Sequence, residues 1–238
     1  MVRVLVNDGI EESGKKMLEA AGFEVDMNNI PQDQLVEKLN AYDAICVRSA
    51  TKVRKDLIDA CPNLKVIARG GVGLDNIDVE YARSKGIKVI NTPAASSRSV
   101  AELAFAHLFS IVRFLDKAHR DMPGKGDTEF NALKKAYAKG VELEGKTLGV
   151  IGMGRIGQAT IKMGLGLGME VFAFDPFVDE VTIQLSNSLY KVDIPLKKSP
   201  LDEVLCKADV ISIHVPGVAQ PIINAEEFAK MKDGVILL

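Results

Sequence analysis

Short runs of β-branched and aliphatic residues, apolar almost throughout rather than at every second position, constrain the fold of this chain more than any other feature. The first five runs occupy residues 2–6, 23–26, 44–47, 65–68 and 88–90, with helical patterns between them near residues 11–20, 32–39, 54–59 and 79–84. A strand that is apolar on both sides has to be covered on both sides, and strands joined through helices run parallel. The pattern predicts a first α/β domain, a parallel sheet covered on both faces, over residues 1–98.

Beyond residue 98 the periodicity changes. Val100, Leu103, Ala104, Leu108, Ile111, Val112 and Leu115 recur at helical spacing, which predicts one long helix over residues 99–119. Ser99 and Glu102 suit a capping box at its start. The Gly/Lys-rich stretch Pro123-Gly124-Lys125-Gly126 reads as a break, and a polar segment runs from there to Gly145. A second series of strands is then expected at residues 147–151, 170–174, weakly 190–194, 209–213 and 235–238. Residues 99–238 are expected to form a second, Rossmann-like domain.

Chemistry enters with Gly152-Met153-Gly154-Arg155-Ile156-Gly157, which follows one of these strands and opens a helix. Glycine is common in such turns, so the motif gains meaning from its context: strand before, helix after, and Asp175 at the end of the next strand. Gly152 would allow the tight turn, Gly154 the approach of a diphosphate, and Gly157 close packing of helix on sheet. The helix N-terminus offers free N–H groups and partial positive charge to that diphosphate. Asp175 can accept hydrogen bonds from ribose hydroxyls and would repel a 2′-phosphate, so NAD is expected over NADP.

Composition narrows the partners. The 30 Lys and Arg against 32 Asp and Glu leave a net charge of −2, which gives no electrostatic reason to expect nucleic acid or an anionic membrane. No apolar run is long enough to span a bilayer, and the first residues lack a secretory-signal pattern. Cys46, Cys61 and Cys206 are odd in number and form no C-x-x-C pair, so free thiols in a reducing, cytoplasmic setting are expected. No cluster has metal-ligand spacing, and no Gly-x-Ser-x-Gly elbow is present.

The stretch from Leu143 to Gln158, with Asp175-Pro176, His214-Val215-Pro216 and Met231-Lys232-Asp233-Gly234-Val235, resembles the D-isomer-specific 2-hydroxyacid dehydrogenases. Val47-Arg48-Ser49-Ala50-Thr51-Lys52-Val53, the stretch Arg69-Gly70-Gly71-Val72-Gly73-Leu74-Asp75-Asn76-Ile77-Asp78 and Asn91-Thr92-Pro93 look like the phosphoglycerate dehydrogenase branch of that family. The resemblance implies two Rossmann-like, doubly wound parallel-sheet domains, the first flavodoxin-like and for substrate, the second, incomplete here, for NAD. It also implies oxidation of a small anionic hydroxyacid, 3-phosphoglycerate first among them, and a homodimer built around the NAD-binding domain.

By position in the resemblance, Arg155 and Ile156 would touch the diphosphate, His214, Val215 and Pro216 would line the adenine or nicotinamide ribose side, and Val72 would approach the nicotinamide. Arg48 with Ser49, and the Gly70-Gly71-Val72-Gly73 loop, whose successive N–H groups can form a nest for a carboxylate, suit an anionic substrate. Ala95-Ser96 departs from the Gly-Asn common in that branch. The family's catalytic arginine, glutamate and histidine are expected beyond Leu238, and neither His107 nor His119, on different faces of one helix, is a good replacement. Two alternatives stand beside this reading: a glyoxylate or hydroxypyruvate reductase on the same scaffold, and a non-catalytic NAD-sensing protein.

Overall fold

The computed structural model describes residues 1–186, 188–217 and 220–238. The chain divides into two units, Met1–Ser96 and Ser97–Leu238. The first runs β1 (Arg3–Val6), α1 (Glu12–Ala20), β2 (Glu24–Asp26), α2 (Leu35–Lys38, between two short 3-10 turns), β3 (Ala44–Val47), α3 (Lys55–Ala60), β4 (Val66–Arg69), α4 (Val79–Ser84) and β5 (Lys88–Asn91). All five strands are parallel, in the order β2-β1-β3-β4-β5. This is the flavodoxin-type order, in which the winding direction reverses between β1 and β3. Leu5, Ile45 and Ile67, on three consecutive strands, are fully buried with Leu35, Leu39 and Leu57 from the helices.

The second unit begins with α5 (Ser97–Val112) and α6 (Leu115–Tyr137). One continuous helix is therefore not what forms. Phe114 takes a left-handed conformation, φ 56°, which breaks the helix, and its ring packs on that of Tyr137 with centroids 6.1 Å apart. The chain can meet Tyr137 there because α6 kinks at Glu129, which also brings the Tyr137 hydroxyl onto the Asp121 carboxylate. Pro123-Gly124-Lys125-Gly126 lies inside α6 rather than in a break. The surrounding turn is solvent-exposed, so water can satisfy a carbonyl freed by the proline, and Lys125 pairs with Asp121 across one turn. Nor does Ser99 cap a helix: α5 starts two residues earlier, and Glu102 accepts a bond from Arg98 instead.

The chain continues through β6 (Thr147–Ile151), α7 (Arg155–Gly166), β7 (Glu170–Phe174), β8 (Glu180–Ser186), β9 (Lys191–Lys197), α8 (Leu201–Lys207), β10 (Val210–Ile213), α9 (Ala225–Phe228) and β11 (Ile236–Leu237). β11-β10-β6-β7 form a parallel sheet, and every residue of β6 is buried. The weak strand expected at residues 190–194 does not join that sheet. It is the start of β9, which pairs antiparallel with β8 in a separate two-stranded sheet. Val181, Ile183 and Leu185 face the core together with Ile194 and Leu196, while the residues between them are mostly exposed. That alternation is the signature of a strand with one wet face.

Candidate functional site

In the second unit, β6 lies between β7 and β10, so the winding reverses beside it. Ligands in open α/β sheets bind outside the carboxyl ends of strands at such a reversal. The glycine turn follows β6, Asp175 follows β7, and His214-Val215-Pro216 follows β10, so three of the predicted segments converge on one end of one sheet.

The turn is shaped by contacts that exclude side chains. Gly152 has φ +100°, and a Cβ there would stand 2.4 Å from the His214 carbonyl oxygen and 3.0 Å from a Val215 methyl. A Cβ on Gly157 would lie 1.9 Å from the Gly152 carbonyl oxygen. At Gly154 nothing lies within 4 Å. Two glycines are thus closed against protein and the one between them opens to solvent, as a cradle for a diphosphate requires. The first helical bond of α7 runs from Gln158 to Gly154, which leaves the N–H groups of Arg155, Ile156 and Gly157 without helical acceptors. Arg155 is exposed and Ile156 half-buried.

Asp175 is tied to this turn. Its Oδ2 accepts from Met153 N at 2.8 Å, and its Oδ1 accepts from Phe177 N and Val178 N at 2.8 and 3.1 Å. A carboxylate offers about four acceptor positions, so in this geometry one is left for a ribose hydroxyl rather than two. Pro176, next to it in sequence, is exposed, as is Pro216 after β10. The His214 ring turns inward: its Nε2 lies 2.9 Å from Thr160 Oγ1 and 2.8 Å from Ser212 Oγ. Burial lowers its pKa below the usual histidine value, so it is neutral at neutral pH. What His214 presents to the turn is its backbone.

The first unit carries its own cavity of about 600 Å³ at the carboxyl ends of β1, β3, β4 and β5, lined among others by Asp8, Arg48, Arg69, Gly70 and Asn91. The exposed Arg48 guanidinium has no ion-pair partner among the described residues, whereas its backbone is held from three sides. Asp8 Oδ2 accepts from Arg48 N at 2.6 Å, and the Arg48 carbonyl accepts from Asn76 Nδ2 at 2.9 Å and Arg69 Nε at 3.0 Å. Asp8 also accepts from Thr51 N and from the Thr51 hydroxyl. Burial alone would raise the Asp8 pKa, but these bonds and one from Ala50 N together lower it.

Of the four N–H groups of the glycine loop, two are used within the protein. Gly70 N donates to the Val47 carbonyl at 2.9 Å and Gly71 N to that of Arg69 at 3.0 Å, so both N–H groups are occupied. Among the described residues the N–H groups of the next two, Val72 and Gly73, have no protein acceptor. Asn91 Nδ2 holds the Val72 carbonyl at 2.6 Å, and Arg69 is bonded to the Gly73 carbonyl and paired with Asp75. Val72 and Ser49 are exposed.

The family model described as D-isomer specific 2-hydroxyacid dehydrogenase, catalytic domain, matches residues 4–230. The chain belongs to this family. It is 43% identical to a hydroxypyruvate reductase of Thermotoga maritima over 239 residues, 99% of this chain and 72% of that protein. It is 39% identical to a D-3-phosphoglycerate dehydrogenase of Methanocaldococcus jannaschii, covering all of this chain but 43% of the relative, so it spans less than half the length of that protein. Among solved structures, the TT0316 protein of Thermus thermophilus superposes with TM-score 0.80 at 30% identity, covering 99% of this chain and 72% of that one. An NAD⁺-bound 3-phosphoglycerate dehydrogenase of Entamoeba histolytica superposes with TM-score 0.72 at 28% identity, covering 99% and 70%.

Within this member of the family, sequence reasoning missed the residues that hold the site rather than fill it: Asp8, Arg69, Asn76, Asn91, Thr160 and Ser212. Asp8 follows a strand in the same way that Asp175 does, which is the one signal that pointed to it. Among the described residues no group of three or more His, Cys, Asp or Glu is placed to hold a metal ion, and no helix is long and apolar enough to cross a membrane.

Proposed function

We propose that this chain forms the NAD cradle and part of the substrate-anion site of a dehydrogenase that interconverts a small anionic D-2-hydroxyacid and its 2-oxoacid, 3-phosphoglycerate being the first candidate substrate. The observation that carries the reading is the union of the glycine turn and Asp175 at the sheet reversal. In this reading Ser97–Leu238 is the NAD-binding unit and Met1–Ser96 the substrate-binding unit. NAD, when bound, supplies the acceptor for the hydride of the hydroxyl-bearing carbon.

The residues of the chain then have distinct tasks. The N–H groups at the start of α7 with Arg155 and Ile156 hold the diphosphate, Asp175 with Pro176 holds the adenosine ribose, and Val215 and Pro216 close the crevice. In the first unit Arg48 faces the substrate's carboxylate or phosphate beside Ser49, and the open N–H groups after Gly70 and Gly71, at Val72 and Gly73, receive a carboxylate. A second reading, reduction of hydroxypyruvate, is favoured by the 43% identity to a protein of that name. Both substrates place a carboxylate beside the reacting carbon, so one anion site serves either.

The exposed apolar side chains of α5, Val100, Leu103 and Ile111, with Leu115 beyond them, support a homodimer formed through this unit. Titration with NADH and NADPH, followed by nicotinamide fluorescence, tests the cofactor. NADH should bind at least about tenfold tighter, and equal affinities would sink the role given to Asp175. Assays of 3-phosphoglycerate oxidation against hydroxypyruvate reduction, compared as kcat/KM, decide between the substrates.

A further inference from the structure

His214 sits at the end of β10, where its backbone N–H donates to the Ile151 carbonyl at 2.7 Å and its own carbonyl closes on Gly152. Its ring reaches the other way, to Thr160 on α7 and Ser212 on β10, both 1% exposed. The Thr160 hydroxyl donates to the Ile156 carbonyl at 3.0 Å, so its contact with the ring requires a hydrogen on Nε2. The ring therefore joins the helix that follows the glycine turn to the strand that flanks it. No other residue of the described chain bonds to both.

We propose that His214 is a positioning residue for the dinucleotide turn: its ring, pinned between Thr160 and Ser212, holds its carbonyl against Gly152 and so fixes the shape of the loop that receives the diphosphate. The proposal rests on the NAD reading above. A second proton would go to Nδ1, which has no acceptor among the described residues, and would place a charge where burial already disfavours it. The charged groups on the adjoining elements are Arg155 and Lys162 on α7 and Asp175 after β7; none bonds to the ring, and Asp175 is engaged with backbone. Protonation should therefore release the ring and loosen the turn.

The test is NADH affinity of the chain by fluorescence titration between about pH 8 and about pH 5.5, across the histidine range. His214→Ala should weaken binding about five- to tenfold at neutral pH, the scale of one lost hydrogen bond. Thr160→Val, which removes the partner and leaves the strand intact, should weaken it in the same direction. His214→Gln, whose amide nitrogen reaches the place of Nε2 and does not titrate, should recover most of the affinity. Wild-type affinity should fall as the pH drops, and that of His214→Gln should stay flat. If His214→Ala fails to fold, Thr160→Val and the Gln pH profile still decide. Wild-type affinity in both His214→Ala and Thr160→Val, or an unaltered pH profile in His214→Gln, would overturn the positioning role alone. A wild-type chain that binds no NADH at any pH would overturn the NAD reading with it.

Discussion

Replacing Gly157 with alanine isolates packing from ligand approach, because Gly154, three residues earlier, offers the opposite case. The new Cβ at position 157 would stand 1.9 Å from a backbone oxygen, where ordinary contact begins at 3.4 Å, so α7 would have to withdraw from the turn by about 1.5 Å. The obstacle is main chain and cannot rotate away. Overpacking of this kind costs roughly 1–3 kcal/mol, and a backbone obstacle argues for about 2–3. For a unit of this size that is a fall of roughly 6–12 °C in Tm. Gly154 has φ −69° and ψ −170°, open to any residue, and empty space around it. Gly154→Ala should keep the wild-type Tm within about 2 °C, in line with a neutral exposed substitution, yet lower NADH affinity about tenfold because the methyl occupies the diphosphate's approach. Thermal melts with and without NADH measure both. A Gly157→Ala protein as stable as wild type, or a Gly154→Ala protein that binds NADH unchanged, would refute the reasoning.

Three further outcomes are expected. Arg48→Ala should raise KM for the anionic substrate by about tenfold or more, the value of a charged hydrogen bond, while NADH affinity stays the same; steady-state kinetics of the full-length protein check it. Asp8→Asn should lower Tm at neutral pH, since Asp8 accepts backbone N–H groups as a carboxylate. Its lowered pKa means this stabilisation is present above the unfolded value of about 3.9 and vanishes as the pH falls through the lower folded value, so melts of the two proteins should converge in acid. Leu103→Glu, at a position 58% exposed on α5, should turn a dimer into a monomer by light scattering, and a monomeric wild type would end the dimer proposal.

The strands of the parallel sheets were legible because burial on both faces leaves an unmistakable apolar run, as in β3 and β6. The glycine turn was legible for a related reason: only glycine fits where Gly152 and Gly157 sit. Strand β8, and with it the antiparallel pairing of β9, was missed because Val181, Ile183 and Leu185 alternate with polar residues and do not form a run. Phe114 carries no turn residue to announce its left-handed break, and the helical path through Pro123 depends on solvent exposure that no local pattern reports. The occupancy of the Gly70 and Gly71 N–H groups depends on where β3 and β4 place their carbonyls, which is a tertiary fact. His214 was assigned to the cofactor side by position; that its ring points to Thr160 and Ser212 could be read only once α7 and β10 were side by side.

The bonds around Arg48 have a kinetic meaning. The segment from Arg48 to Val53 is neither strand nor helix beyond one isolated bridge at Val53, yet five of its amide hydrogens are donated inside the protein: Arg48, Ala50 and Thr51 to Asp8, Lys52 to the Gln32 side chain, and Val53 to the Asn76 carbonyl. Amide exchange with solvent requires such bonds to open, and a bond held by a long-range side chain opens only with the structure that carries it. In deuterated water the amides of Arg48, Thr51 and Val53 should keep their protons about as long as those of β3, while exposed Ser49, whose N–H has no protein acceptor among the described residues, loses its own early. The stretch that presents Arg48 would thus be counted as loop by its dihedrals and as core by its clock.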